Sequence, residues 1–293
     1  MATKTTDFLT SLQIRLKKTL STSSTPTLAQ VYEIVYNFSD KLLALCSQFN
    51  SELGRKTASI SLVDGTSLYR DVVDDFFAPV TMFVEGVPYS GWLEKTYDRV
   101  GLQITNEFDS LNFGVGSTNE NEPNKFYLDQ NGNLVLLNTP DASYTFKFPY
   151  YYHQTRIAAS TLSVAGASKA SPCVITCTAH GLFTGNRIYI DSVVGMTQLN
   201  GYWFTVTRVT ADTFSLDGVN SSAYTTWASA GTIYTSIPFN GAFDHLFIEY
   251  CAYRFQAIEE YNQTTEEAIL AILFEDARRI ILSRKGTSSK VIR

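Results

Sequence analysis

The sequence predicts an α+β chain: a helical core built from N-terminal helices plus two C-terminal helices, a β-hairpin section, and an inserted small all-β domain. Three observations carry this. Apolar residues recur at helical spacing near both ends. From about residue 57 the pattern changes to short alternating runs broken by Asp-Gly, Glu-Gly and Asn-Gly. Residues 160–236 then form a block rich in Thr, Ser, Val, Gly and Ala, poor in charge and free of helical periodicity.

The first helix is expected over 5–20, with Phe8, Leu9, Leu12, Leu16 and Leu20 on one side and Arg15, Lys17 and Lys18 mostly off that stripe. The stretch "STSSTPT" breaks it. Thr27 and Gln30 have the spacing of a capping box and open a helix over 27–53. Its apolar residues Leu28, Val31, Val35, Phe38, Leu42, Leu45 and Phe49 follow a 3-4 rhythm, so the seam needs a partner. Cys46 beside it reads as a small core residue, and Gly54 as a stop.

Strands are expected over about 57–157. Turns fall at Asp64-Gly65, Glu85-Gly86 and Asn131-Gly132, and "ASYTFKFPYYYHQTRI" closes the section as an aromatic strand. The polar stretch "NEFDSLNFGVGSTNENEP" reads as a loop. "SVAGASKASP" reads as a flexible joint before the inserted block. Two helices follow, over 241–261 and 265–284. The first carries Phe243, Leu246, Phe247, Tyr250, Cys251, Phe255 and Ile258; the second has acids in its first turn and Arg278 and Arg279 near its end. The expected domains are therefore 1–159 with 237–293, the inserted 160–236, and a basic tail at 285–293.

Charge and composition exclude several classes. Residues 61–159 hold thirteen acids against six bases, and no segment is basic enough for tight DNA binding. There is no secretion-signal pattern and no apolar run of about 18 residues to cross a bilayer. Four cysteines in 293 residues read as reduced thiols rather than a disulfide scaffold. "CVITCTAHGL" sets Cys173, Cys177 and His180 at a spacing that suggests zinc. In a strand, however, the two thiols stand roughly 13 Å apart, too far to share one tetrahedral ion. His153, His180 and His245 read as structural, and Asp71, Asp74 and Asp75 as a solvated turn. No G-x-S-x-G, P-loop or H-E-x-x-H pattern occurs. The expectation is no enzyme, no catalytic residue, no metal and no cofactor. A carboxylate pair assembled from distant segments is the one hydrolytic alternative left open.

Residues 178–232 resemble a small β module recurrent in phage tail and virion proteins. The likeness rests on His180-Gly181-Leu182, Gly185 with Arg187-Ile188-Tyr189-Ile190, Gly195-Met196, Leu199-Asn200-Gly201, Phe204-Thr205-Val206, Thr213-Phe214-Ser215-Leu216 and Ala230-Gly231-Thr232. Asn200-Gly201 is expected as a hairpin turn, and Ile188, Ile190, Phe204, Val206, Phe214 and Leu216 as the interior of a small sandwich or barrel. The flanking segments "LAQVYEIVYNFSDKLLAL", the two-strand stretch "NKFYLDQNGNLVLLNTPDASYTFKFPYYY" and "FDHLFIEYCAYRFQAIEEYNQTTEEAILAILFEDARRII" resemble in pattern the head-to-tail adaptors of short-tailed phages. That resemblance implies a homo-oligomeric ring of about twelve copies. Its implied partners are the portal protein and a tail nozzle, hub or fibre protein, with genomic DNA passing through without sequence readout and no membrane partner. It implies a place in the virion neck after assembly in the host bacterial cytoplasm. Arg284, Lys285, Lys290 and Arg293 are then the expected portal-docking tail, and Tyr150, Tyr151 and Tyr152 an expected subunit or tail contact. The alternative is a tail or fibre-type protein whose β module decorates the virion or contacts host glycan.

Overall fold

The computed structural model describes residues 2–70, 72–73, 75–84, 87–94, 99–105, 120–129, 132–157, 159–256 and 263–285. The expectations placed on Asp71, Asp74, the Glu85-Gly86 turn, Asn131, Ile258, Lys290, Arg293 and most of the polar loop (residues 106–119) lie outside them.

The expected helical core with a β insert is corrected. The chain is mostly β, with seventeen strands against four α-helices among the described residues, and its two larger sheets are curled into half-barrels. The chain divides into two compact units, one formed by Leu43–His153 and the other by Met1–Leu42 with Gln154–Arg284. The helices therefore share a unit with the β module, whereas the sequence groups them with the hairpin section. The reason is long-range pairing. Alternation reveals each hairpin, but not that hairpins 90 residues apart close into one sheet with its own core.

The strands of the first unit are β1 (Arg55–Leu62), β2 (Leu68–Tyr69), β3 (Phe76–Pro79), β4 (Met82–Val84), β5 (Val87–Tyr89), β6 (Gly91–Glu94), β7 (Arg99–Ile104), β8 (Lys125–Leu128), β9 (Leu134–Leu136) and β10 (Tyr144–Tyr152). They run in the order β1-β10-β6-β7-β8-β9-β2, with β3 also on β10 and β4-β5 as a separate hairpin. Strand β10 is the hub. One edge pairs with β1 from Arg55↔Tyr151 to Leu62↔Tyr144. The other edge is shared by β6 at Thr145–Lys147 and β3 at Tyr150–Tyr152. Alternate residues Phe146, Phe148 and Tyr150 stack down one face at 6.2 and 5.4 Å, with Phe126 edge-on to the two phenyl rings. Around this ladder lie Ile60, Leu62, Leu93, Leu102, Leu134 and Leu136, all buried.

The second unit contains β11 (Thr161–Ser163), β12 (Gly166–Ala167), β13 (Cys173–Thr176), β14 (Arg187–Asp191), β15 (Tyr202–Arg208), β16 (Thr213–Leu216) and β17 (Thr232–Thr235), in the order β11-β17-β14-β15-β16-β13-β12. Ile188, Ile190, Val206, Phe214 and Leu216 line its core as expected, and Phe204 is half-buried against them. Asn200-Gly201 is a different device from the tight hairpin expected. It ends a ten-residue connection between β14 and β15, with Asn200 extended (φ −71°, ψ 138°) and Gly201 left-handed (φ 85°). The Asn200 side chain clamps Val193, accepting from its N–H at 2.8 Å and donating to its carbonyl at 2.9 Å. The amide was needed for the loop rather than for the turn.

Helix α1 (Thr5–Leu16) stops earlier than 20 because Lys17 turns left-handed (φ 54°). Helix α2 (Leu28–Gln48) opens on the expected capping box. The Thr27 N–H donates to Gln30 Oε1 at 2.8 Å and the Gln30 N–H to Thr27 Oγ1 at 3.3 Å. Its seam meets helices α3 (Asp244–Gln256) and α4 (Gln263–Lys285): Phe38 stacks on Tyr250 at 4.2 Å and contacts Phe247 and Phe274. Towards the end of α2 the buried stripe passes to Leu43 and Cys46, leaving Leu45 and Phe49 half-buried.

A short tether joins α1 to the module. The Thr5 hydroxyl donates to the Thr235 carbonyl at 3.1 Å, and the Ile237 N–H to the Thr3 carbonyl at 3.4 Å. The Lys4 ammonium lies over Tyr189 at 3.8 Å and Tyr234 at 4.5 Å. Farther along, Arg15 grips Glu249 of α3 through two bonds of 3.0 Å.

Two predictions follow from these contacts. Gly195 combines a left-handed φ of 90° with a Cβ position 2.3 Å from the Thr226 carbonyl, while Gly218 (φ 72°) faces open space. Gly195→Ala should therefore destabilise by about 3 kcal/mol or more in denaturant unfolding, and Gly218→Ala by about 1. Asp244, which takes a hydrogen bond from the Thr3 hydroxyl on Oδ2, leaves Oδ1 buried without a partner. Burial pushes its carboxyl pKa up, against the Thr3 hydrogen bond and His245, which favour the charged form. A raised folded pKa means that the native state holds the proton more tightly. Stability from this group is present at low pH and is lost as pH rises from the ordinary value of 3.8 through the folded one. Melting curves at stepped pH should show that loss in the wild type and not in Asp244→Asn.

Candidate interaction surfaces

Two of the three tyrosines expected to meet a neighbour are fold residues. Tyr150 is buried and donates to Asp75 Oδ1 at 3.0 Å. Tyr151, on the opposite face, is also buried; it donates to the Ser51 carbonyl at 2.7 Å and accepts from Arg55 Nε at 3.1 Å. Tyr152 is half-buried, with the Lys56 ammonium 5.0 Å above its ring. Both faces of β10 are covered, so any contact made by this row goes through Tyr152. Asp75 is also committed, to Tyr150 and to an ion pair with Lys56. It serves the fold rather than a solvated turn.

The zinc-like cluster is taken up by packing. Cys173 and Cys177 lie in the module core with Ile175 and Leu182, and burial raises both thiol pKa values. His180 is buried edge-on to Phe214. Its Nδ1 accepts from the Leu182 N–H at 2.9 Å, and its Nε2 faces the Thr210 carbonyl at 3.1 Å. That arrangement needs the hydrogen on Nε2 and leaves neither nitrogen for a metal. His153 packs edge-on to Phe77, and His245 is exposed at the start of α3. Among the described residues no three His, Cys, Asp or Glu side chains are placed to hold an ion.

At the basic end, Arg284 is exposed on the last turn of α4 and Lys285 is its final residue. Two apolar surfaces escaped the sequence reading. The β4-β5 hairpin exposes Phe83 (67%) and Val87 (54%). Beneath it lies a cavity of about 510 Å³, lined by Met82, Val87, Tyr89, Trp92, Arg99 and Gln103. The Trp92 indole nitrogen there is buried without a hydrogen bond of good geometry, and the Glu94 carboxyl nearby is held below its usual range mainly by Lys147. The cavity suits an apolar group carrying an acceptor. Its signal in "TMFVEGVPY" was a pair of short apolar runs about Glu85-Gly86, which reads equally well as a buried hairpin. The second surface is the outer face of α4, where Ile272 is 62% and Leu282 43% exposed.

No family model matches the chain, and no curated protein matches it at a significant score. Among the described residues no helix is long and apolar enough to cross a membrane.

If His180 is a structural residue, His180→Ala should lower the stability of the protein by about 3 kcal/mol through lost packing and unpaired backbone groups. Added zinc or a chelator should leave the wild-type melting temperature unchanged.

Proposed function

We propose that this chain is a non-enzymatic structural protein of a phage virion, acting as a head-to-tail adaptor between portal and tail. The observation that supports it most is the union of the virion-like β module with α1, α3 and most of α2 and α4 in one compact unit, with α1 joined to the module through Lys4, Thr5 and Thr235. The helical segments behind the adaptor resemblance thus fall largely in one block with the module, while its two-strand stretch, residues 124–152, lies in the other unit. In the proposed ring, equal copies close around the DNA path and match the symmetry of the portal above. The exposed basic end of α4 docks on an acidic portal surface, and the β surfaces face the tail nozzle, hub or fibre. The acidic 61–159 section gives the rim or channel a sign that DNA does not adhere to.

The dominance of strands favours a second reading, a tail or fibre-type protein whose module decorates the virion or contacts host glycan. Three helices packed through Phe38 weigh against it.

Native mass spectrometry with and without the portal separates the two. The adaptor reading expects a portal complex of about twelve copies, and about tenfold weaker binding after Arg284→Glu with Lys285→Glu. A trimer indifferent to the portal would contradict it.

A further inference from the structure

Helix α4 carries two stripes. Leu273, Ala277 and Ile281 are buried within their unit. About 180° away, Ala268, Ile272, Glu275, Arg279 and Leu282 follow a 4-3-4-3 spacing and are all exposed. Such spacing is the seam of a helix pair, and none of the described residues covers it.

The order of residues along the seam selects its occupant. Placed parallel and in register on a second copy, it would set Glu275 against Glu275 and Arg279 against Arg279. Placed antiparallel about a two-fold axis level with Ala277, it sets Glu275 against the partner's Arg279 twice. The same placement sets Ile272 against the partner's Leu282 twice. Charge and apolar matching then agree at all four positions. Within one helix these charges are already held in line, since Arg279 lies 3.9 Å from Glu275 and 3.4 Å from Asp276.

We infer that the chain, before it meets other proteins, forms an antiparallel two-fold dimer through the outer stripe of α4. One stripe of one helix falls short of the roughly 800 Å² per partner of a standard interface, so the dimer is weak and forms at high chain concentration. A two-fold contact closes on two copies and does not propagate. The dimer is thus a state of the unassembled chain, and it does not rest on the adaptor reading.

Thiol cross-linking of the full chain tests it. The four native cysteines are buried, and burial raises their pKa values, so introduced surface thiols report alone. Ile272→Cys mixed with Leu282→Cys should cross-link at least about tenfold faster than either variant by itself. Sedimentation gives a second readout. Glu275→Arg and Arg279→Glu should each lose the dimer, and a mixture of the two should regain it as a heterodimer. All four positions are exposed, so folding is retained and circular dichroism verifies it. Self-cross-linking of Ile272→Cys alone would show a parallel pair and overturn the proposal. A wild-type chain that sediments as a monomer at the highest soluble concentration would overturn it too, as would charge variants that associate unchanged.

Discussion

Strand β10 must be covered on four sides. It presents two edges of backbone N–H and carbonyl groups, one face of large aromatic side chains and a second face on which Tyr151 is buried, and an unpaired buried polar group costs as much as the aromatic burial gains. No single hairpin can satisfy it. Strand β1 takes one edge, β6 and β3 divide the other, the phenyl ladder fills one face, and Ser51 and Arg55 meet Tyr151 on the second. The second unit has a smaller counterpart in Phe38, which α3 and α4 enclose together.

Local devices were legible in the sequence because their physics is local. The Thr27–Gln30 capping box, the 3-4 seam through Phe38, the Asp64-Gly65 turn with its left-handed glycine, and the module interior each formed as their spacing implied. What failed was the inference from local pattern to global proportion. Hairpins read one at a time looked like an attachment to helices. They form instead a sheet of their own, because β10 pairs with residues 55–62 lying some 90 positions earlier. Asn200-Gly201 failed for a related reason: the dipeptide fits a tight hairpin, but a longer loop used the same amide as a clamp on Val193.

The candidate sites were less legible than the fold. Tyrosines in a row suggest exposure on alternate faces, but a central strand buries both faces, and only Tyr152 keeps part of its surface. The cysteines and histidine at zinc-like spacing are the exception: read as structural from strand geometry, they form a core stripe and a turn lock. The open surfaces at the β4-β5 hairpin and the outer face of α4 expose ordinary apolar residues, Phe83 and Val87 on one and Ile272 and Leu282 on the other. Their role depends on what fails to cover them, which no local pattern records.

The most direct test of the adaptor account is an image of the assembled virion with this chain labelled. The account predicts a closed ring of label at the neck, between the portal and the tail, with the DNA path through its centre. Label at fibre tips or along the capsid surface, with none at the neck, would contradict it.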